Sequence, residues 1–435
     1  AKNNTTPILC SSYHVTPDNR TWTIYLEPDA TFSDGTRVTV QDVVASYEQA
    51  RQNVYYKGRF THIARVELSS DGGVDFFLDT PYQNLALLLD IPIVKASEVS
   101  SDNPLGTGSY SLEEGIGGKH LQRVVNWWCK SENLVAKDSS IALIEAESPS
   151  QIRDEFEFSG LSVVCTNPQT DSYADYRCDF ELWEVDSGFL MYIGCNVTYS
   201  DYFDDGTLRT FLTYGIDRQS LVDNNYGGLA LPTTLPISPM SPYYSKSLAA
   251  TYDYDEMRFI DAASKLRVPT NDKGVTRTLK LLVNSDDSAR LRCARNIAAT
   301  LTELGLACET VESPTSVYEA RLQAANYDIY LGITKLPATA DLSEFFRPWG
   351  EMSWGGLSNE TIYTMVKQSL ADRGNYYNLH QLVEDNGHII PVMAGYYAIY
   401  AKRGVLSDLN PARDNVFYYT LGKTMESSKV ATQFS

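Results

Sequence analysis

The order of predicted elements between residues 279 and 333 constrains the fold of this chain most strongly. Apolar runs bounded by turn residues predict strands, and apolar residues at helical spacing predict helices. The predicted elements are, in order, a strand at 279–283, a helix at 288–304, a strand at 306–311, a helix at 316–325 and a strand at 328–333. This β-α-β-α-β order predicts a parallel sheet with right-handed crossovers, so the chain is expected to be α/β.

A long polar and aromatic loop, residues 334–354, follows the third of these strands. In open parallel sheets, ligands bind in the crevice beyond the carboxyl ends of the strands. The loop carries Asp341, Arg347, Trp349 and Trp354, whose side chains are of the types that hold small polar molecules. We therefore predict that it forms a binding site rather than part of a core, and that the loop beginning at 284–286 lies beside it.

Length and charge bound the remaining possibilities. The chain has 435 residues, which is too many for one hydrophobic core, so two or more domains are expected. It is 43% hydrophobic and 21% charged, as soluble globular proteins are, and it has no apolar run of 18 residues. The net charge of −19 disfavours binding to nucleic acid or to anionic membrane surfaces.

The sequence offers no catalytic or metal-binding motif. The seven cysteines form no Cys-x-x-Cys pair, so neither a structural zinc site nor any other metal site or cofactor is predicted, and their disulfide state stays open. The five histidines lack metal-ligand spacing, and His380 and His388 are expected to be solvated or to cap a helix. No Gly-x-Ser-x-Gly elbow or phosphate-binding loop is present, so we expect a protein that is not an enzyme.

The N-terminal part is predicted to mix strands and helices. Alternating residues at 22–26 predict a strand, Thr39 and Asp42 predict the capped start of a helix, and residues 66–76 predict a hairpin. Further along, a proline-rich irregular loop ends at Tyr243 and Tyr244, which we consider candidates for the binding site or for surface packing.

Six segments in the same order resemble motifs of the family 5 extracellular solute-binding proteins, the oligopeptide, dipeptide and nickel receptors of bacterial ABC importers. The segments are residues 22–43 (WTIYL with FSDGT, VT and DV), 104–110 (PLGTGSY), 126–128 (NWW), 192–196 (YIGCN), 208–218 (LR with YGIDR) and 355–359 (GGLSN). Peptide receptors of this family place an acidic residue for the ligand's α-amine near a motif that contains two Asp residues and a later Phe. Here Asp341 and Phe345 match the later acid and the aromatic, whereas Ala338 stands where the earlier acid is expected.

The resemblance implies a two-lobe periplasmic-binding-protein-like fold of the class C type, α/β with mixed and parallel sheets and flanking helices. Lobe I is expected to comprise residues 1–188 with the tail 400–435, and lobe II residues 189–399. The resemblance also implies a monomeric receptor that closes on a short peptide or similar small polar ligand between its lobes and delivers it to ABC transporter permease subunits. It further implies an extracytoplasmic location, with a signal peptide and a lipid anchor upstream of Ala1, and residues before Ala1 that complete the cleft.

Each candidate ligand-binding residue has an ordinary structural alternative. Asp341 could bind a ligand ammonium or cap a helix at 342–346, and Arg347 could bind a carboxylate or pair with Glu344 or Glu351. The aromatic candidates could stack on a ligand or pack between elements. Those candidates are Tyr192, Tyr243, Tyr244, Phe345, Trp349 and Trp354.

Asn196 follows Tyr192 where the chain is expected to cross between lobes, so hinge, cleft and strand-packing roles stay open for both residues. Two other functions also stay open for the whole chain. One is a ligand-sensing domain of a regulatory protein with the same fold. The other is a receptor for a non-peptide ligand such as a metal chelate, a sugar or an opine.

Overall fold

The computed structural model describes residues 5–131, 134, 136, 138–146, 148–169, 176–406, 409 and 411–413. By the clustering of its internal contacts the chain forms two compact units, one mainly Asn4–Asn167 and the other mainly Asp186–Tyr396, while the chain from Tyr397 belongs to the first. The lobe limits given by the resemblance stay a prediction, because compactness alone does not show that the units act as lobes. Each unit is described by itself.

In the part of the chain that the structure describes, the first unit contains antiparallel strands and two α-helices. Its elements are β1 (Cys10–Val15), β2 (Thr21–Leu26), α1 (Val40–Gln52), β3 (Ile63–Leu68), β4 (Val74–Leu78), β5 (Tyr110–Gly115), β6 (Gly118–Arg123), β7 (Ser140–Ala142), α2 (Pro149–Phe158) and β8 (Val163–Thr166). Four strands form an antiparallel sheet in the order β1-β2-β4-β3, and β5-β6-β7 form a second sheet. The predicted strand at 22–26 and the predicted hairpin are therefore confirmed as β2 and β3–β4.

Helix α1 begins at the predicted cap and packs against the four-stranded sheet. The Thr39 hydroxyl and the Asp42 carboxylate form a reciprocal capping box, in which Asp42 accepts a 2.8 Å hydrogen bond from the Thr39 N–H. The buried face of the helix carries Tyr47, whose ring meets Phe76 edge-on at 4.9 Å. The cap fixes where the helix starts, and the aromatic contact fixes which face it buries.

The second unit contains one large sheet with helices around it. Its elements are β9 (Phe180–Cys195), α3 (Thr207–Phe211), α4 (Arg218–Tyr226), β10 (Leu231–Pro232), α5 (Lys246–Ala249), α6 (Glu256–Ser264), β11 (Leu279–Asn284), α7 (Ser288–Glu303), β12 (Cys308–Ser313), α8 (Thr315–Gln323), β13 (Ile329–Lys335), α9 (Ser343–Phe346), α10 (Glu360–Ala371), α11 (Tyr376–Asn386) and β14 (Ile389–Lys402). Strands β9 and β14 each contribute residues to both units.

The strand order of the large sheet is β10-β14-β9-β13-β11-β12, with β8 paired to β14. β11 pairs in parallel with both β12 and β13, whereas β9 and β13 are antiparallel. The predicted β-α-β-α-β order is thus confirmed as β11-α7-β12-α8-β13. Because β11 and β13 are parallel neighbours, their carboxyl ends lie at the same edge, which is where the loops at 284–286 and 334–354 begin.

The apolar core of the second unit lies between this sheet and its helices. Leu281 on β11, Ile297 and Leu301 on α7 and Val222 on α4 belong to one buried cluster. The helical spacing of Ile297 and Leu301 predicted this inward face. None of the described helices combines the length and the apolar composition needed to cross a bilayer.

The expectation that His380 and His388 are solvated or cap a helix is wrong. His380 lies on α11 with none of its surface exposed, and His388 is buried just before β14. Burial disfavours the charged imidazolium, so it lowers the pKa of His380 to about 3. Burial, and then the nearby Arg209 guanidinium, lower the pKa of His388 to about 4.

Candidate functional site

The segment that follows β13 is divided into a buried part and an exposed tip. Between residues 337 and 346, the side chains of Thr339, Leu342, Ser343, Phe345 and Phe346 are wholly buried, and the last residues form the short helix α9. The expectation that the whole loop lies outside the core is therefore wrong for this part. Its apolar and aromatic residues pack inside the unit, and only the following turn around residues 347–351 projects outward.

Asp341 sits at the junction between the strand and α9. Its carboxylate Oδ1 accepts a 2.8 Å hydrogen bond from the backbone N–H of Ser343, the first residue of the helix, and 8% of the residue is exposed. This bond closes a local turn ahead of α9, whose N-cap position is Leu342 and has no side-chain cap, so Asp341 is not the N-cap that was its alternative role. Its contact with a ligand ammonium stays a prediction.

The backbone immediately before Asp341 is strained and tied to a distant helix. Ala340 has φ of 52°, in the left-handed region that residues other than glycine rarely adopt. The Thr339 carbonyl accepts a hydrogen bond from the hydroxyl of Tyr376, at the start of α11. Tyr243, the residue after the proline-rich loop, stacks on Tyr376 with ring centroids 4.4 Å apart and planes 13° apart.

The negative charge of Asp341 acts on the hydroxyl group of Tyr376. Burial raises the pKa of the Tyr376 hydroxyl, and the charge of Asp341 raises it further. The hydroxyl therefore stays protonated and acts as a hydrogen-bond donor. Tyr376 has no role in the sequence-based prediction, although its helical spacing from Leu379 and Val383 places it on the apolar, buried face of α11.

Arg347 forms the ion pair that was its structural alternative. Its Nε and Nη2 donate to the two oxygens of Glu344 at 3.1 and 2.9 Å, and Glu344 also accepts a 2.9 Å bond from the backbone N–H of Glu351. Although burial opposes the charge, the bonds to Glu344 raise the pKa of Arg347. This pair fixes the turn that carries Trp349, and carboxylate binding by Arg347 stays a prediction.

The two candidate tryptophans differ in exposure. Trp349 is 94% exposed and has φ of 60°, so the turn presents its ring to solvent in a strained backbone. Trp354 is half-buried in the short turn Trp354–Gly356. An indole ring that is exposed and carried on a constrained backbone is suited to stacking on a ligand.

Tyr192, Asn196 and Phe345 lie inside the second unit. The Tyr192 ring meets Phe345 edge-on at 4.9 Å, and its hydroxyl lies 3.3 Å from that of Tyr330. The Asn196 amide donates to the backbone carbonyls of Ala325 and Tyr327 at 2.9 and 2.8 Å. These contacts are of the strand-packing kind, and the ligand-binding roles of the three residues stay predictions.

Tyr243 and Tyr244 are half-buried. Burial raises the pKa of Tyr244, and hydrogen bonds with Thr233 and Thr234 act in the opposite direction. The structure therefore brings Tyr243 to the Asp341 turn through Tyr376, and it ties Tyr244 to the loop before it. Their ligand contacts also stay predictions.

Among the described residues, no cluster of three or more His, Cys, Asp or Glu side chains could hold a metal ion. All seven cysteines lie within the described part of the chain, and none forms a disulfide. What the segment after β13 offers chemically is thus the nearly buried carboxylate of Asp341, an ion-paired arginine and aromatic rings around a strained turn. Such a set can bind a small polar molecule, and it holds no nucleophile activated by a neighbouring base.

The profile of one family, the bacterial extracellular solute-binding proteins, family 5 (middle), matches residues 4–356. The chain belongs to this family. The family 5 resemblance seen in its motifs is thereby confirmed.

A curated relative is the glutathione-binding protein GsiB of Escherichia coli O6:K15:H31, which is 24% identical over 268 residues. The match covers 57% of this chain and 50% of GsiB, so the chain spans about half the length of the curated relatives it matches. A protein of the same name in Salmonella typhi is also 24% identical over 268 residues.

Solved structures share the fold. The putative peptide binding protein AppA from Clostridium difficile superposes with a TM-score of 0.79 at 17% identity, covering 97% of this chain and 92% of AppA. NikA from Brucella suis, solved with Fe(III)-EDTA, superposes with a TM-score of 0.75 at 16% identity, covering 96% and 91%. The fold predicted from the family 5 motifs, α/β of the periplasmic-binding-protein type, is therefore confirmed.

Proposed function

We propose that this chain is the extracytoplasmic solute-binding receptor of an ABC importer and that its ligand is a short peptide or a similar small polar molecule. The observation that carries the proposal is the match of the family 5 profile to residues 4–356. The likeness to solved binding proteins over nearly the whole chain supports it. In this proposal the receptor acts as a monomer, hands its ligand to membrane permease subunits, and catalyses no reaction.

Ligand recognition is proposed to centre on Asp341 and Trp349. A carboxylate that is nearly buried interacts strongly with an ammonium group, because little water screens the pair. Trp349 exposes its ring on a turn held by the Arg347–Glu344 pair, and it supplies an apolar surface for a peptide side chain. Tyr243 and Trp354 are proposed to add partly exposed aromatic surface.

Calorimetric titration of the purified chain with glutathione and with a set of di- to pentapeptides tests this proposal. We expect at least one peptide to bind with a Kd below about 100 μM. Asp341→Asn is expected to weaken that binding about tenfold or more, because a charge-assisted hydrogen bond contributes ~1.5–3 kcal/mol. Trp349→Ala is expected to weaken it about fivefold or more, as loss of a contact worth ~1 kcal/mol requires.

Two variants of the same unit serve as controls. Asp261→Asn removes a carboxylate whose side chain is 69% exposed, and Tyr199→Ala removes an exposed aromatic ring. Both are expected to keep the affinity of the wild-type chain. A folded protein that binds no peptide contradicts the proposal of a peptide ligand, and binding that neither Asp341→Asn nor Trp349→Ala weakens contradicts the proposed site.

A further inference from the structure

The turn before Asp341 is held in place by a side chain from another helix. Ala340 has φ of 52°, in the left-handed region that is strained for a residue with a Cβ. Such a conformation persists only where the surrounding structure enforces it. Here the Tyr376 hydroxyl donates to the carbonyl of Thr339, the peptide group directly before Ala340.

The tyrosine that makes this bond is itself fixed. Tyr376 is buried, and the ring of Tyr243 stacks on it almost face to face at 4.4 Å. One turn further along α11, the ring of His380 lies 5.8 Å from that of Tyr376. The hydroxyl therefore reaches Thr339 from a ring with little freedom to move.

The conformation of this turn sets the position of the Asp341 carboxylate. With the Thr339 carbonyl held and Ala340 in its left-handed conformation, the Asp341 carboxylate accepts a hydrogen bond from the N–H of Ser343, two residues further along the chain. Releasing the Thr339 carbonyl would let Ala340 relax toward a negative φ. That rotation would move the carboxylate away from its present position.

We propose that Tyr376 is a positioning residue for ligand binding: its hydroxyl holds the strained Thr339–Ala340 turn and so places the Asp341 carboxylate for the ligand's ammonium group. This inference rests on the proposed function, because it takes Asp341 as the group that meets the ligand. It extends that function to a residue on α11 that is buried behind the turn.

A double-mutant cycle tests the inference. The affinities of glutathione and of trialanine are measured for the wild type, Tyr376→Phe, Asp341→Asn and the double variant. Tyr376→Phe keeps the ring stacked on Tyr243 and removes only the hydroxyl. We expect it to weaken binding about fivefold in the wild-type background and less than twofold in the Asp341→Asn background, since it acts through that carboxylate.

A purely structural role for Tyr376 would weaken binding equally in both backgrounds, and that result would overturn the inference. Tyr377→Phe is the matched control, because Tyr377 is the next residue of the same helix and is exposed. It is expected to leave the affinity unchanged. If Tyr376→Phe does not fold, amide hydrogen exchange of residues 337–346 is measured without ligand in Tyr243→Ala, which removes the ring stacked on Tyr376. Exchange about tenfold faster than in the wild type supports the anchor, and unchanged exchange overturns it.

The outcomes separate this inference from the proposed function. If the peptides bind and Asp341→Asn has no effect, the inference is overturned while a receptor function stands. If neither peptide binds, the proposed ligand class fails. Amide hydrogen exchange of residues 337–346 then shows whether Tyr376 anchors the Thr339–Ala340 turn. Exchange that is about tenfold faster in Tyr376→Phe supports the anchor, and unchanged exchange overturns it.

Discussion

At the scale of single residues, close packing inside the second unit depends on glycines that face tyrosine rings. Gly194 on β9 lies beside the ring of Tyr330 on β13, and a Cβ added to it would lie 2.6 Å from the Tyr330 hydroxyl. Both positions are in the sheet interior, so neither strand can shift freely. The same sheet brings Tyr192 and Tyr330 together, which explains why two large polar rings are tolerated in a core.

Gly194→Ala is therefore expected to lower the free energy of unfolding by about 2–3 kcal/mol, as overpacked cores do. Urea denaturation followed by circular dichroism measures the change. Gly117→Ala is the control, since a Cβ there would meet nothing within 4 Å, and its stability is expected to stay within ~0.5 kcal/mol of the wild type. Equal stability of the two variants would show that Tyr330 does not pack as the structure has it.

Sequence predicted the projecting part of the loop after β13 better than the contacts that hold it. Trp349 and Arg347 lie on this turn, after a strand whose carboxyl end the polar and aromatic residues follow, and their binding roles stay predictions. Tyr376 could not be found in this way. It reaches Thr339 from 37 residues further along the chain, and no local pattern encodes that contact.

At the scale of elements, a buried arginine ties helix α4 to strand β14. The Arg218 guanidinium donates to the carbonyl oxygens of Pro391, Thr213 and Ile216 and to the Thr213 hydroxyl, at 2.7–3.3 Å. A planar fork with five donors can satisfy these divergent acceptors, and a lysine ammonium cannot. Arg218 is the last residue of the YGIDR motif, so the motif residue has a structural role within the unit.

Arg218→Lys is expected to destabilise the second unit by about 3 kcal/mol, because it leaves buried carbonyls without their donor. Thermal unfolding of the variant measures the loss. Arg267→Lys, at an exposed arginine of the same unit, is expected to melt within a degree or two of the wild type. A melting temperature of Arg218→Lys that matches this control would refute the structural role.

The element order was predictable where packing depends on neighbours in sequence. The β11-α7-β12-α8-β13 run follows from its periodicity and from the crossover rule. The placement of β9 between β13 and β14 was not predictable, since strands pair there across more than a hundred residues of sequence. The burial of residues 339–346 was missed for a related reason, because their partners lie on β9 and α11.

At the scale of the whole molecule, buried neutral histidines make stability depend on pH. His380 has a folded-state pKa of about 3, below the ordinary value of 6.5. The unfolded chain therefore binds more protons than the folded chain between these values. Stability from this group is complete above pH 6.5 and is lost as the pH falls toward 3. Between pH 7 and pH 5, His380 alone lowers the free energy of unfolding by about 2 kcal/mol.

His380→Leu is expected to remove this pH-dependent part of the free energy of unfolding. Neither ring nitrogen of His380 has a hydrogen-bond partner among the residues that the structure describes, so replacement by an apolar residue leaves stability at pH 7 unchanged or higher. Urea titrations of both proteins at pH 7 and pH 5 should then show a smaller decrease in the variant by about 2 kcal/mol. His14→Leu, at an exposed histidine, is the control, and a decrease in His380→Leu as large as in that control would contradict the burial of His380.

The central claim is that this family 5 protein binds a small peptide-like solute at the turn that follows β13. Amide hydrogen exchange with and without saturating glutathione or trialanine, whichever binds more tightly, tests it most directly. The account predicts that protection on binding is strongest in residues 337–354 and absent from remote surfaces such as α6 (Glu256–Ser264). Protection that leaves residues 337–354 unchanged while the peptide is bound would contradict it.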